Sequence, residues 1–164
     1  MTRDWGGLLK VISGGQAGVD RAALDAALAV GIPGGGWCPL GRRCEDGVIP
    51  AIYPLREAPT ESYAERTRLN VRDSDMTLVI WSGDITPGSA MTVKEADRQG
   101  KPVVLLRLRA RTTPEDPALW ISERVAGVGV LNIAGPRESR WPGIYAMARK
   151  FLEDAFREFH RPVK

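Results

Sequence analysis

Twice along this chain a short apolar run stops in a glycine-rich turn and gives way at once to residues spaced for a helix. Residues 8–13 lead into Ser13-Gly14-Gly15-Gln16-Ala17-Gly18-Val19-Asp20. Residues 76–81 lead, after Ser82-Gly83-Asp84-Ile85, into Thr86-Pro87-Gly88-Ser89-Ala90-Met91-Thr92. A continuous apolar run bounded by turn residues reads as a strand covered on both faces, the kind found in parallel sheets. A strand that ends in glycines and opens a helix also brings bare N–H groups and the positive end of the helix dipole to one point, which suits a phosphate or another anion. Two such turns on neighbouring strands would face one crevice.

The remaining pattern extends this order. Val19, Ala22, Ala23, Ala26, Ala27 and Val30 form a narrow helical stripe ended by Gly31 and Pro33. Thr60 or Ser62 is a cap for a helix expected to run to about Asp73, and a further helix is expected over residues 89–99. A strand at 101–106, a helix at 116–126, a strand at 129–134 and a last helix at 142–159 complete the alternation. The last helix carries Ile144, Ala148, Phe151, Leu152, Ala155 and Phe159 on one stripe. Alternating strands and helices predict an α/β fold, a three-layer doubly wound sandwich of about five parallel strands. Ligands in such folds sit beyond the carboxyl ends of the strands, where both glycine turns lie. A chain of 164 residues with 43% hydrophobic content is expected to form one domain, over residues 1–164.

Between the first helix and the second, Gly34-Gly35-Gly36-Trp37-Cys38-Pro39 leaves room for a short strand at most, and residues 40–59 show no sustained period. Unstructured connections of that length are often binding loops or lids. This one contains Gly41-Arg42-Arg43-Cys44-Glu45-Asp46-Gly47, which reads either as a lid or as a solvated surface loop. In the helix that follows, Tyr63, Arg66, Thr67 and Asn70 share one side, a polar stripe that faces either water or a polar pocket.

Composition narrows the chemistry. Cys38 and Cys44 stand six positions apart and His160 is the sole histidine. A four-ligand zinc site and a histidine-driven nucleophile therefore lack support, and no protein-ligated metal is expected. The net charge of +3 is spread along the chain without a basic block, which argues against nucleic acid as a partner. No leader pattern opens the chain and no apolar run approaches the roughly 20 residues that span a bilayer, so a soluble cytoplasmic protein with no membrane partner is expected.

The first turn is neither the G-x-G-x-x-G dinucleotide fingerprint nor a P-loop. Asp20 disfavours a phosphate lying directly on its helix end and suits a hydroxyl or ring N–H instead. The second turn is the stronger signal, with Gly88 and Ser89 at the helix start, a hydroxyl at Thr92, and Glu95 one turn further on. Such a start can grip phosphate, and a carboxylate one turn away can reach a sugar or act as acid or base.

Pro87-Gly88-Ser89-Ala90-Met91-Thr92-Val93-Lys94-Glu95 resembles the P-G-G-x-G-T-x-x-E signature of the LOG (lysine-decarboxylase-like) superfamily, whose enzymes are nucleoside-monophosphate phosphoribohydrolases. Glu65-Arg66 falls where that superfamily carries its catalytic arginine, and the first glycine turn is similar to its own. Ser89 and Met91 replace glycines of the signature, and Met91 puts a bulky side chain where phosphate approaches the backbone. A closer resemblance is to the molybdenum carrier group within that superfamily. It is carried by the first glycine turn, Gly35-Gly36-Trp37-Cys38-Pro39-Leu40-Gly41-Arg42, Glu45-Asp46-Gly47, Tyr53-Pro54-Leu55, Arg66-Thr67, Asn70-Val71 and Asp73-Ser74-Asp75.

The resemblance implies a LOG-like, Rossmann-like scaffold that binds a small phosphorylated ligand, a molybdopterin-type cofactor or a nucleotide, and that forms a dimer. Its expected ligand-binding residues are Gly14, Gly15, Gln16, Gly18, Asp20, Arg42, Arg66, Asn70, Gly88, Ser89, Thr92 and Glu95. On the carrier reading the two turns and Arg66 hold the anionic end, Asp20 and Glu95 meet ring or sugar groups, and Arg42 or Arg43 closes from the loop. The alternative is a phosphoribohydrolase cleaving an N-glycosidic bond, with Glu95 stabilising the ribosyl cation or activating water and Arg66 anchoring the substrate. A scaffold or nucleic-acid-interacting protein is a third class, resting on the mild positive charge alone.

Overall fold

The computed structural model describes residues 8, 10–109 and 113–157. His160, the last positions expected for the final helix (158–159) and Leu9 of the first apolar run lie outside the described residues. In chain order the elements are β1 (Lys10–Ile12), α1 (Val19–Val30), β2 (Gly34–Gly35), β3 (Trp37–Cys38), β4 (Arg43–Cys44), β5 (Gly47–Val48) and β6 (Arg56–Glu57). There follow α2 (Tyr63–Arg72), β7 (Met76–Trp81), α3 (Pro87–Arg98), β8 (Val103–Arg107), α4 (Pro117–Val125), β9 (Val130–Ala134) and α5 (Ile144–Phe156).

Five strands form one sheet in the order β2-β1-β9-β7-β8, with every pairing parallel. Helices flank it in the three-layer, Rossmann-like arrangement that the alternating pattern predicts. The expected adjacency of the two glycine turns is corrected, because β9 lies between β1 and β7. Its sequence explains the place it takes. Leu131 and Ile133 are fully buried toward one layer of helices, and Asn132 is buried on the opposite face, where it donates to Thr77 Oγ1 at 3.2 Å. A strand buried on both faces gains most at the centre of a sheet.

The two faces differ in polarity. Val11, Leu78, Ile80, Leu131 and Ile133 pack with the alanine stripe of α1 and with Ile144, Ala148, Phe151, Leu152 and Ala155 of α5, so the apolar core lies on that side. Alternation along the strands puts Lys10, Ile12, Asn132 and Thr77 on the other face. There α2, the helix with the polar stripe, packs beside α3. Ser62 is the residue that caps α2, accepting from Glu65 N.

Residues 40–59 hold more structure than the missing period suggests. β4 and β5 pair as a small antiparallel hairpin, and β3 pairs with β6 in parallel. Strands of two residues are too short to show a period, and side chains stabilise them. Arg42, in a left-handed conformation at φ 55°, donates to the carbonyls of Ile49, Pro50, Tyr53 and Leu55. Among the described residues no helix is long and apolar enough to cross a membrane.

Candidate functional site

Beyond the carboxyl ends of β1, β9 and β7 lies an open crevice with a cavity volume of about 120 Å³. That is smaller than the roughly 300–1,000 Å³ usual for small-molecule sites, so a ligand seated here would extend into the open mouth. Gln16 and Asp20 come from the first turn and α1, Tyr63, Arg66 and Thr67 from α2, and Thr86, Pro87, Gly88, Ser89, Met91 and Thr92 from the second turn and α3. The inserted strand supplies the floor, Ala134-Gly135-Pro136, and two further arginines, Arg137 and Arg140.

The helices that follow β1, β9 and β7 differ in what meets the N–H groups at their starts. At α1 the N–H of Gln16 donates to Asp20 Oδ2, that of Gly15 to Ser13 Oγ, and that of Val19 to the carbonyl of Pro136. The first glycine turn is therefore closed by its own side chains and by the β9–α5 connection. Gly18 makes that packing possible. Its φ is 104°, and a Cβ there would lie 2.4 Å from the Pro136 carbonyl oxygen. At α5 the Glu138 carboxylate accepts from the N–H groups of Gly143 and Tyr145 and takes the place an external anion would occupy. At α3 Thr86 caps Ser89 N, whereas the N–H of Gly88 has no intramolecular acceptor among the described residues, and the space above Gly88 is open. The 12-residue α3 thus directs an uncompensated positive dipole end into the crevice.

The arginines divide in the same way. Arg66 Nη1 bonds Asp20 Oδ2 at 3.2 Å, with side-chain exposures of 13% and 4%. Its guanidinium lies against Gly14, where a Cβ would fall 1.9 Å from Nη1. Burial pushes the Asp20 carboxyl above its ordinary range, opposed by Arg66, by the Gln16 N–H and by the charges of Arg137 and Arg21. Arg137 and Arg140 form no salt bridge among the described residues, so their charges remain available to an anion. Two buried polar atoms on the crevice side chains, Gln16 Oε1 and Arg66 Nε, lack partners. Unmet groups of this kind concentrate where something else completes the site.

Of the residues expected from sequence, Gln16, Asp20, Arg66, Gly88, Ser89 and Thr92 come together at the crevice. Gly14 lies beneath Arg66, and Gly15 packs against Leu55 and Ile49 of the long loop. Gly18 holds the β9–α5 connection, Asn70 clamps the Trp37 backbone through Oδ1 at 2.8 Å and Nδ2 at 2.9 Å, and Arg42 is occupied by loop carbonyls. Glu95 points along α3 to Arg98 and Gln99, and these partners hold its carboxyl below the usual range. Sequence reasoning missed Arg137 and Arg140. The signal that could have found them is Gly135-Pro136 at the end of the strand at 130–134, the same strand-then-glycine order as in the two other turns.

The hairpin β4–β5 covers one side of the site. Gln16 Nε2 donates to the Arg43 carbonyl at 2.8 Å, Arg21 pairs with Asp46 at 3.1 Å, and Ser139 donates from N and Oγ to Glu45. Among the described residues no group of three or more His, Cys, Asp or Glu is placed to hold a metal ion.

The family model for the circularly permutated YpsA SLOG family matches residues 11–156. Among curated proteins none matches the chain. A crystal structure from Syntrophus aciditrophicus SB, described as a "putative molybdenum carrier protein", is similar with a TM-score of 0.84 and 45% sequence identity. The similarity covers 90% of this chain and 94% of that one.

Proposed function

The chain belongs to the circularly permutated YpsA SLOG family, and from that premise we propose that it binds and carries a phosphorylated heterocycle of the pterin or nucleotide class without cleaving it. The observation that carries this reading is the pairing of the α3 N-terminus, with its open Gly88 N–H, with two arginines that form no salt bridge among the described residues, all lining one crevice. The anionic group of the ligand sits at the Gly88 N–H, between Arg137 and Arg140. Charge-assisted bonds from arginine and a helix start are the usual donors for a phosphate. Asp20 and Gln16, at the opposite wall, meet the N–H and hydroxyl groups of the ligand. The similarity to a protein named for molybdenum carriage supports a molybdopterin-type ligand within this class.

Acid–base help to glycosidic cleavage comes from a carboxylate beside the ribose, and the carboxylate that lines the crevice, Asp20, is paired with Arg66. Glu95, the residue the hydrolase alternative relies on, is bonded instead to Arg98 and Gln99, and Met91 projects into the crevice. A carrier requires only that the ligand be held.

Native mass spectrometry of the purified full chain tests this reading, together with titration by phosphorylated pterins and nucleotides. A retained or added phosphorylated heterocycle is expected, with no release of ribose 5-phosphate from nucleoside monophosphates. Ribose 5-phosphate release that disappears in Glu95→Gln would replace the carrier reading with the hydrolase one.

A further inference from the structure

Tyr63 opens α2, and the guanidinium carbons of two crevice arginines lie near its ring: Arg66 Cζ at 5.7 Å from the centroid and Arg137 Cζ at 4.6 Å. Both fall within the roughly 6 Å over which a cation is attracted to the negative face of an aromatic ring. The two arginines differ in what else holds them. Arg66 is fixed by Asp20, by the close approach of Gly14 and by its place on the same helix as Tyr63. Arg137 stands on the connection between β9 and α5, with no salt bridge among the described residues, and the Tyr63 ring is the partner the structure gives its guanidinium.

An aromatic ring in a crevice proposed to hold a heterocycle would ordinarily be assigned to stacking on that heterocycle. Here the ring is already engaged by cations. We propose that Tyr63 is a positioning residue: it sets the guanidinium of Arg137 against the anionic end of the ligand and couples the β9–α5 connection to α2, and the heterocycle lies elsewhere. This inference rests on the anion-binding reading of the crevice. The phenol hydroxyl is not needed for the task, because the attraction comes from the ring.

The test uses the full chain and two probes, inorganic pyrophosphate and GMP, titrated by calorimetry into wild type, Tyr63→Phe and Tyr63→Leu. Tyr63→Phe is expected to bind both probes as wild type does. Tyr63→Leu is expected to weaken both by the same factor, about fivefold to tenfold, the effect of one partly desolvated cation–ring contact. A loss confined to GMP would make the ring a stacking platform and overturn the proposal, and so would unchanged binding in Tyr63→Leu. A ligand-free measurement separates this proposal from the function it rests on. The rate at which phenylglyoxal modifies Arg137, followed by peptide mass mapping, is expected to rise several-fold in Tyr63→Leu and to stay at the wild-type value in Tyr63→Phe. Equal rates in all three proteins would overturn the positioning role. If wild type binds neither probe, the anion-site reading falls, while the modification rates still decide whether Tyr63 holds Arg137.

Discussion

Arg66 and Asp20 form a nearly enclosed ion pair at 3.2 Å, joining α2 to α1 across 46 positions of sequence, and the guanidinium rests where a side chain at Gly14 would have to be. This contact divides the crevice into a wall whose charges are matched and a mouth whose charges are not.

Gly14→Ala places a methyl group in the space of the Arg66 guanidinium and forces the pair apart. The clashing atoms are the far end of one flexible side chain, so the guanidinium shifts and the cost is at most that of its charge-assisted bond, about 1.5–3 kcal/mol. Urea denaturation is expected to show a loss of that order. A variant as stable as wild type would show that the pair is not held by this packing. Gly18→Ala is expected to be at least as damaging, because both its φ of 104° and the Pro136 carbonyl oppose a side chain and neither is a flexible group.

The raised Asp20 pKa sets a pH dependence of definite sign. The folded carboxyl holds its proton to a higher pH than the ordinary 3.8, so the unfolded chain ionises first. The contribution of Asp20 to stability is therefore greatest below that value and declines as pH rises through the folded pKa. Asp20→Asn lacks this decline. Asp46, Asp73 and Glu95, whose pKa values are lowered, give the opposite slope in both proteins and cancel in the comparison. Denaturation at a series of rising pH values should show the stability of wild type relative to Asp20→Asn falling. A relative stability that rises over this series would contradict the assignment.

Arg137→Ala and Arg140→Ala remove unpaired charges from the mouth, so binding is affected more than folding. Each charge-assisted bond contributes about 1.5–3 kcal/mol, and each variant is expected to bind pyrophosphate roughly 10- to 100-fold more weakly, with a thermal midpoint within a few degrees of wild type. Titration calorimetry measures the first and a thermal melt the second. A large fall in the midpoint with unchanged affinity would mean that these residues serve the fold.

Glu95→Gln offers the contrast. Its carboxylate pairs with Arg98 three residues on, and an exposed helix pair of this kind contributes less than about 1 kcal/mol. Pyrophosphate affinity is expected to be unchanged. A tenfold fall would return Glu95 to the site.

The sheet strands, the five helices and the second glycine turn were legible because each is a local pattern: Val11-Ile12 or Leu78-Val79-Ile80 stopped by glycine, alanines at helical spacing, and Thr86 placed to cap. The order of the sheet is not a local pattern. That β9 enters between β1 and β7 depends on which strand buries both faces best, a comparison among segments about 120 residues apart. Arg137 and Arg140 were missed for that reason: Gly135-Pro136 marks the end of a strand, but only the order of the sheet shows that the residues after it face Gly88. Arg42 and Asn70 show the converse. Their residue types suit a ligand site, but their hydrogen bonds are taken up by nearby backbone, and only the folded loop reveals it.

The central position of β9 also bears on how the chain assembles. β1 pairs with β2, β7 pairs with β8, and in the described sheet the two pairs meet only through β9. During synthesis from the amino terminus, both glycine turns are made well before the strand that brings them together. The earlier segments can form local helices and two-stranded fragments, but the crevice and the hydrophobic core close in one late, long-range step. The shape of the crevice and cooperative folding therefore depend on the same five residues, Val130–Ala134.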